Sequence, residues 1–361
     1  MATSIPETQN AWVSTKKAYP PSQSLQLRTD WPVKKILKTG EVTVKVHAAG
    51  LNPLAWKLMR YLPSWIVKRP WVPESDFSGV VVAAEKSAVL REGDEVYGWI
   101  VPGVAFSSKQ GALSEYITLP ATYLVKRPAN ISAIEAAGIT VTAMFAQLAL
   151  NEANLSANQT IFINGGSTAV GAWTIQLAKL RGAKVVVSCS KKNEEYVKGL
   201  GADEVIDYTS VGPFHTYLAQ NPPPTKFHVI LDAIGLFDSS LYTKSSTYLH
   251  RHGVYLTVGP MPHEFSWGVV PQLLKWTALL SLPWWLTGVR SKAKNVMAAN
   301  KVEDMEILRG YLEEGMIKPT VDSVYEFADA AEAYDKLVTG RARGKIIVNV
   351  SLPPDAGKAS V

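Results

Sequence analysis
The stretch Ile163-Asn-Gly-Gly-Ser-Thr-Ala-Val-Gly171 decides how this chain is read. Before it, residues 161–164 are apolar and read as a strand; after it, residues 169–181 are amphipathic and read as a helix ended by Gly182. A glycine turn entering a helix aims unpaired backbone N–H groups and the positive helix end at one point, which suits a phosphate. Against the pattern G-x-G-x-x-G the positions fall on Gly166, Thr168 and Gly171, so the middle glycine is missing. A tight turn with no ligand could use the same residues. The context favours a nucleotide, because strand, loop, helix and a second strand at 184–189 follow in order.

The end of that second strand selects the cofactor. NAD-binding units place a carboxylate there to hold the ribose 2′-hydroxyl. Here the residues are Ser188-Cys-Ser-Lys-Lys-Asn193, with no carboxylate. Hydroxyls, an amide and two lysines suit a 2′-phosphate, so NADPH is expected; a solvated basic loop is the plain alternative.

Downstream, residues 204–207, 227–231 and 254–258 read as strands with helical segments between them. Such alternation builds a doubly wound parallel sheet covered on both faces. Upstream, residues 41–49, 77–84, 95–100 and 113–119 are short β segments separated by Gly/Pro turns. Ser132 and Glu135 then form a capping box ahead of a helical run through Leu150. After Lys301 come a helix (302–314), a strand (321–327), a helix (328–338) and a strand (345–350), and residues 353–361 read as a frayed end. The pattern shifts near Asn130 and Lys301, and the strand-rich end could return to the first part, which would set residues 1–130 with 302–361 against 131–301.

Composition narrows the class. The 361 residues carry 37 Lys+Arg against 31 Asp+Glu, a formal charge of +6, with 47% hydrophobic and 19% charged residues. That excludes a disordered or collagen-like chain. Basic residues cluster only briefly, as at Lys34 and Lys35 or Lys68 and Arg69, so no nucleic-acid stripe is present. One cysteine, Cys189, allows neither an internal disulfide nor a cysteine-based zinc site and points to a reducing compartment. The start MATSIPETQN lacks a signal pattern, so a cytoplasmic location is expected.

Further motifs run along the chain: Ala49-Gly-Leu-Asn-Pro-Leu-Ala-Trp-Lys57, Ser75-Asp-Phe-Ser-Gly79, Gly93-Asp-Glu-Val-Tyr-Gly98 and Gly111-Ala-Leu-Ser-Glu-Tyr116. They continue as Ala136-Ala-Gly-Ile-Thr-Val-Thr-Ala143, Leu200-Gly-Ala-Asp-Glu-Val-Ile-Asp-Tyr208 and Leu231-Asp-Ala-Ile-Gly235. With the glycine loop, they resemble the medium-chain dehydrogenase/reductase superfamily in its zinc-independent quinone reductase and enoyl reductase branch. The Gly-Gly-Ser-Thr loop and the Cys-Ser-Lys-Lys-Asn run look most like fungal stand-alone enoyl reductases that serve polyketide synthases.

The resemblance implies an α/β chain with a GroES-like β-rich domain from both chain ends and a Rossmann domain between them, often paired as a homodimer. It assigns Ser190, Asn193 and Tyr208 to the 2′-phosphate, and Ser167, Thr168 and Val170 to the pyrophosphate, with Lys345 reaching it from the last strand. Asn52, Gly166, Gly171 and Gly235 complete the implied cofactor contacts. In zinc-dependent relatives a cysteine stands at Asn52, a His-Glu pair at Ser75-Asp76 and a third ligand near Gly138; none of these residues is a usual zinc ligand. His250 and His252 form a lone H-x-H expected at a helix end.

Without a metal, a nicotinamide can deliver hydride to a carbon already made electrophilic, in a C=C bond conjugated to a carbonyl or in a quinone. The developing enolate needs donors and a proton. The resemblance places Lys57 and Thr142 there, with Thr140 as the competitor of Thr142. Tyr61 is a candidate proton donor or an aromatic of the substrate channel. The expected activity is enoyl or enone reduction. Quinone reduction, a non-catalytic nucleotide-binding scaffold and a non-redox reaction in the same fold stand as alternatives.

Residues 56–71 and 267–289 hold seven of the eleven tryptophans. The first stretch sets Trp56, Trp65 and Trp71 among basic residues; the second carries Trp267, Trp276, Trp284 and Trp285. Lys275, Pro271 and Pro283 argue against a spanning helix. Three readings remain: the wall of a pocket for a large apolar substrate or acyl thioester, a dimer face, or a peripheral membrane contact.

Overall fold
Six strands pair in parallel within the unit Thr142–Ala299: β1 (Thr160–Asn164), β2 (Lys184–Cys189), β3 (Glu204–Asp207), β4 (Phe227–Asp232), β5 (Leu249–Thr257) and β6 (Lys292–Asn295). Their order across the sheet is β3-β2-β1-β4-β5-β6. The winding reverses between β1 and β4, and in such sheets ligands bind at the carboxyl ends of the strands at that reversal. β1 is buried along its whole length and pairs residue for residue with both neighbours, Phe162 opposite Val186 and Ile230. Phe162, Phe227, Tyr242, Tyr248, Tyr255 and Trp276 build the core on one side of the sheet, with Phe162 and Phe227 stacked at 5.4 Å.

The computed structural model describes residues 5–259, 267–299 and 301–351, so the expected frayed tail at 353–361 and the Trp267 side chain lie outside the described residues. The helix Ala169–Leu180, read as amphipathic, is buried continuously from Gly171 to Ala178. It is apolar nearly all round, as a helix enclosed in a core must be. His250 and His252 stand at the start of β5 and not at a helix end. The polar run before Gly253 hid this strand, whose β-branched signal begins only at Val254.

The second unit is Met1–Val141 with Asn300–Val361. Its sheet runs Val321–Glu326, Lys345–Asn349, Glu41–Gly50, Asp76–Ala84, Glu95–Trp99 and Leu124–Lys126, with Tyr116–Pro120 added to Glu41–Gly50. All pairings are antiparallel except that of Val321–Glu326 with Lys345–Asn349. Val42, Val44 and Val46 alternate into the core, beside Phe77, Val96 and Ile346. The strand Lys345–Asn349 lies against Glu41–Gly50, so the last strand of the chain completes the first sheet. The capping box holds: Glu135 N donates to Ser132 Oγ at 3.2 Å and Ser132 N to Glu135 Oε2 at 2.8 Å. The helical run it opens is broken, Ala133–Ala136 being separated from Thr140–Glu152 around Gly138. A Cβ at Gly138 would meet the Lys345 side chain at 3.2 Å.

Among the described residues no helix is long and apolar enough to cross a membrane.

Candidate active site
In the Rossmann-like unit, side chains clasp the strand ends that form the glycine loop. Ser188 Oγ donates to Asn164 Oδ1 at 2.8 Å and accepts from Gly165 N at 2.9 Å, while Gly166 N donates to Ser188 O at 2.8 Å. Asn164 Nδ2 donates to Asp232 Oδ1 at 3.0 Å, tying β1 to β4. Asp232 is fully buried, and burial pushes its carboxyl up; it also accepts from Leu236 N at 2.6 Å. Asn164 and Asp232 were not singled out from the sequence, and the Ser188 hydroxyl, read with the groups suited to a 2′-phosphate, is engaged by Asn164 and the glycine loop; these roles come from pairing across three strands.

Thr168 explains the missing middle glycine. It is the N-cap of helix Ala169–Leu180: its Oγ1 accepts from Gly171 N at 3.0 Å and donates to Gly165 O at 2.8 Å. The hydroxyl thus satisfies one helix N–H and fixes the turn, a contribution of about 1 kcal/mol. At Gly171 a Cβ would stand 2.2 Å from Gly165 O, and at Gly166 2.8 Å from Val187 Cβ, so loop, helix and β2 are closely apposed. Ser167, Thr168 and Val170 remain half-exposed at the helix start, as a phosphate-contacting face requires.

At the end of β2, Ser190 and Asn193 are buried, and Asn193 Nδ2 donates to Ser167 Oγ at 3.1 Å. This bond joins two groups assigned to different phosphates. Tyr208, just past β3, is 51% exposed. Lys191 is ion-paired with Glu194 at 2.5 Å, and Lys198 holds the same carboxylate at 2.8 Å. Both lysines hold the Glu194 carboxyl at about 2, so it stays ionised but neutralised by its two partners. Burial pushes the Cys189 thiol up to about 11, leaving it inert. Gly235, at φ +76°, brings its loop against Gly259, where a Cβ would stand 2.5 Å from the carbonyl oxygen.

In the GroES-like unit, Asn52 and Asp76, which the resemblance aligns with zinc-ligand positions, belong to a buried polar cluster. Lys345 Nζ donates to Asp76 Oδ2 at 2.8 Å, Asn52 Oδ1 at 2.7 Å and Leu51 O at 3.1 Å. Asn52 Nδ2 donates to Asp76 Oδ2 at 3.1 Å, and Asn52 N to Glu74 Oε2 at 2.9 Å. Tyr334 OH closes the network on Glu74 Oε1 at 2.5 Å. Burial pushes the Glu74 carboxyl up to about 8. Asp76 Oδ1 accepts from Val141 N at 2.9 Å.

Zinc does not fit these residues. An amide and a serine replace the usual donors, and the Lys345 ammonium already supplies the positive charge that Asp76 balances. A divalent ion would be repelled by it. Lys345, expected to reach the pyrophosphate, has all three N–H groups engaged inside this unit, and Asn52 is buried in the same cluster. Glu74 was not anticipated; the pair of acids flanking Ser75 was the available signal.

Asn52 also begins the helix Pro53–Tyr61, where Pro53 suits the first position and Ala55 and Met59 face the core. Lys57 and Tyr61, four residues apart, share one face of this helix. The Lys57 ammonium has no hydrogen-bonding or ionic partner among the described residues; its recorded neighbour is the Trp56 ring, 5.9 Å from Nζ. Burial holds its pKa below the usual lysine value. Tyr61 packs on Trp56 at 6.3 Å and lies under the Arg60 guanidinium at 5.2 Å.

Thr142 belongs to the other unit and is buried. Thr140 is buried too, and its Oγ1 has no hydrogen-bond partner among the described residues. Within the second tryptophan-rich stretch, Trp276 is a core residue whose Nε1 donates to Phe237 O at 2.8 Å. Trp284 and Trp285 are 53% and 67% exposed.

A GroES-like sheet joined to a nucleotide-binding parallel sheet defines a dehydrogenase-type chain. Residues 38–129 match the alcohol dehydrogenase GroES-like domain family and residues 200–348 the zinc-binding dehydrogenase family. The trans-enoyl reductase pgmF of Aspergillus terreus is 32% identical, over 97% of this chain and 98% of its own. The chloroplast envelope quinone oxidoreductase homolog of Arabidopsis thaliana is 30% identical, over 86% of this chain and 90% of its own. Among solved structures, the 2-octenoyl-CoA carboxylase reductase CinF, in complex with NADP and 2-octenoyl-CoA, shares the fold. Its TM-score is 0.79 at 21% identity, covering 98% of this chain and 90% of that one. The chain belongs to the medium-chain dehydrogenase/reductase superfamily, and its fold is that of a nucleotide-binding oxidoreductase.

Proposed function
We propose that this chain is an NADPH-dependent trans-enoyl reductase, reducing a C=C bond conjugated to a carbonyl in an apolar or acyl thioester substrate without a metal. The observation that carries the reading is Lys57: a half-buried ammonium with no counter-ion among the described residues. Such a group is suited to charge that appears only during a reaction. The names of the fungal relatives, trans-enoyl reductases, support the same reading.

NADPH would be held by the Rossmann-like unit, taken as residues 131–301, through Gly166, Ser167, Thr168, Val170 and Gly171 at the helix start, Ser190, Asn193 and Tyr208 at the 2′-phosphate, and Gly235. Asn52 and Lys345 are assigned to keeping the GroES-like residues, 1–130 with 302–361, in order. When bound, the cofactor supplies hydride for the β-carbon. Lys57 and Thr142 are the donors we assign to the carbonyl oxygen, where negative charge develops as the double bond is reduced. Tyr61 is assigned the proton for the α-carbon.

The test is a single-turnover reaction of the purified chain with NADPH, following nicotinamide absorbance, against long-chain enones, enoyl thioesters and quinones, with NADH as control. Oxidation by enones or enoyl thioesters is expected. Oxidation by quinones alone would replace the reading with quinone reduction. Tight NADPH binding without oxidation by any acceptor would sink the catalytic assignment.

A further inference from the structure
The amino ends of β4, β5 and β6 lie at the opposite edge of the parallel sheet from the glycine loop. A cavity of about 360 Å³ opens there, lined by Lys226 just before β4, His250 and Arg251 at the start of β5, and Arg290 just before β6. Ser245 and Ser246 add hydroxyls, and no carboxylate lines the cavity among the described residues. Several cations elsewhere in this unit are matched: Lys179 with Asp203, Lys184 with Glu204, and Lys191 and Lys198 with Glu194. Lys226, Arg251 and Arg290 have no ion pair among the described residues. The cavity thus gathers three cations with no balancing carboxylate in its lining among the described residues.

An apolar ridge leads directly into the cavity. Leu282, Trp284, Trp285 and Leu286 are all exposed, and the Arg290 guanidinium lies 5.4 Å from the Trp284 ring. Residues 267–302 contain five Lys or Arg and no Asp or Glu. Consecutive exposed tryptophans and leucines on a monomer mark an interaction site. A two-fold contact of this patch with itself would set Arg251 and Arg290 against the same charges of a second copy. An anionic apolar surface has no such conflict.

We propose that this edge of the Rossmann-like unit is a docking surface for an anionic phospholipid membrane. Trp284, Trp285, Leu282 and Leu286 enter the boundary between headgroups and acyl chains, and a lipid phosphate takes the basic cavity between Lys226, Arg251 and Arg290. The attachment is peripheral, and the nucleotide loop at the far end of the strands stays clear of it.

Co-sedimentation of the full chain with vesicles tests this. Vesicles of phosphatidylcholine alone are compared with vesicles containing about 30% phosphatidylglycerol. Association only with the anionic vesicles is expected, weakening as salt is raised and accompanied by a blue shift of tryptophan fluorescence. Trp284→Ser with Trp285→Ser, and separately Arg251→Glu with Arg290→Glu, should each weaken association at least about tenfold. Circular dichroism checks that both variants fold. Equal association with neutral vesicles, or undiminished association of both variants, overturns the proposal. So does tight capture of inorganic phosphate without vesicle binding, which would make the cavity a soluble-anion site. A self-association lost with the two tryptophans, again without vesicle binding, would assign the ridge to a second copy.

Discussion

Lys345 Nζ lies 2.8 Å from Asp76 Oδ2 with the two side chains 4% and 0% exposed, so the GroES-like unit carries an ion pair inside its core. The pair closes through Asn52, whose amide accepts from the lysine and donates to the aspartate. Removing one partner strands the other charge out of water. Lys345→Met should therefore lower stability by about 3–5 kcal/mol, measured by urea unfolding. Adding Asp76→Asn should recover part of that loss. An unchanged midpoint for Lys345→Met would show that the pair is not buried as described.

Glu74 gives stability a definite pH dependence. Its carboxyl is pushed up to about 8 in the fold, above its ordinary value of 4.5, because burial outweighs the donors from Tyr334 and Asn52. Between those values the folded state holds a proton that the unfolded state releases, so this group's contribution is fully present below pH 4.5 and lost as pH rises through about 8. Glu74→Gln, which cannot ionise, should flatten the decline. The check is the urea midpoint of both proteins at several pH values across that window.

Selectivity between the two nicotinamide cofactors should depend on Asn193, which is buried at the end of β2 and bonded to Ser167. Asn193→Ala is expected to weaken NADPH about tenfold and NADH much less, as read by fluorescence titration. Equal losses would instead mean that the residue only supports the loop.

Thr168 both caps the helix Ala169–Leu180 and ties the glycine turn. Thr168→Ala removes the acceptor for Gly171 N and the donor to Gly165 O, and should cost about 1 kcal/mol of stability. Thr168→Ser keeps both bonds and should restore most of it. If alanine and serine prove equally stable, the hydroxyl is not the cap.

For Lys57 the expectation is kinetic. Lys57→Met should reduce turnover by about 100-fold or more, as the loss of a donor to a developing oxyanion does, with NADPH affinity nearly intact. Wild-type turnover should fall with rising pH at a point below the usual lysine value, since burial disfavours the charged form. The variant should lack that fall.

The motifs made the fold class legible because each is local. The strand, glycine turn, cap and helix of residues 160–180 follow from the properties of neighbouring residues, and Thr168 stood out in the sequence as the departure from the glycine pattern. Where local signals conflicted, the reading failed. The polar run His250-Arg-His252 concealed the start of β5, and Gly138 divided a helical pattern that looked continuous. The tryptophan-rich stretch after residue 267 is a case where composition permitted several outcomes; tertiary packing buries Trp276, whose Nε1 donates to Phe237 O, and leaves Trp284 and Trp285 exposed.

By itself, then, the sequence determined the order and type of the main elements and the glycine loop between strand and helix. It did so because periodicity and capping belong to contiguous residues. The tertiary structure decided the rest. Lys345 meets Asp76 across 269 residues and Asn52 across 293, and Tyr334 meets Glu74 across 260. Such partners are chosen by the register in which the last strand joins the first sheet. Burial then sets which charges must be paired, as Lys345 and Asp76 are, and leaves Lys57 half-buried without a counter-ion among the described residues.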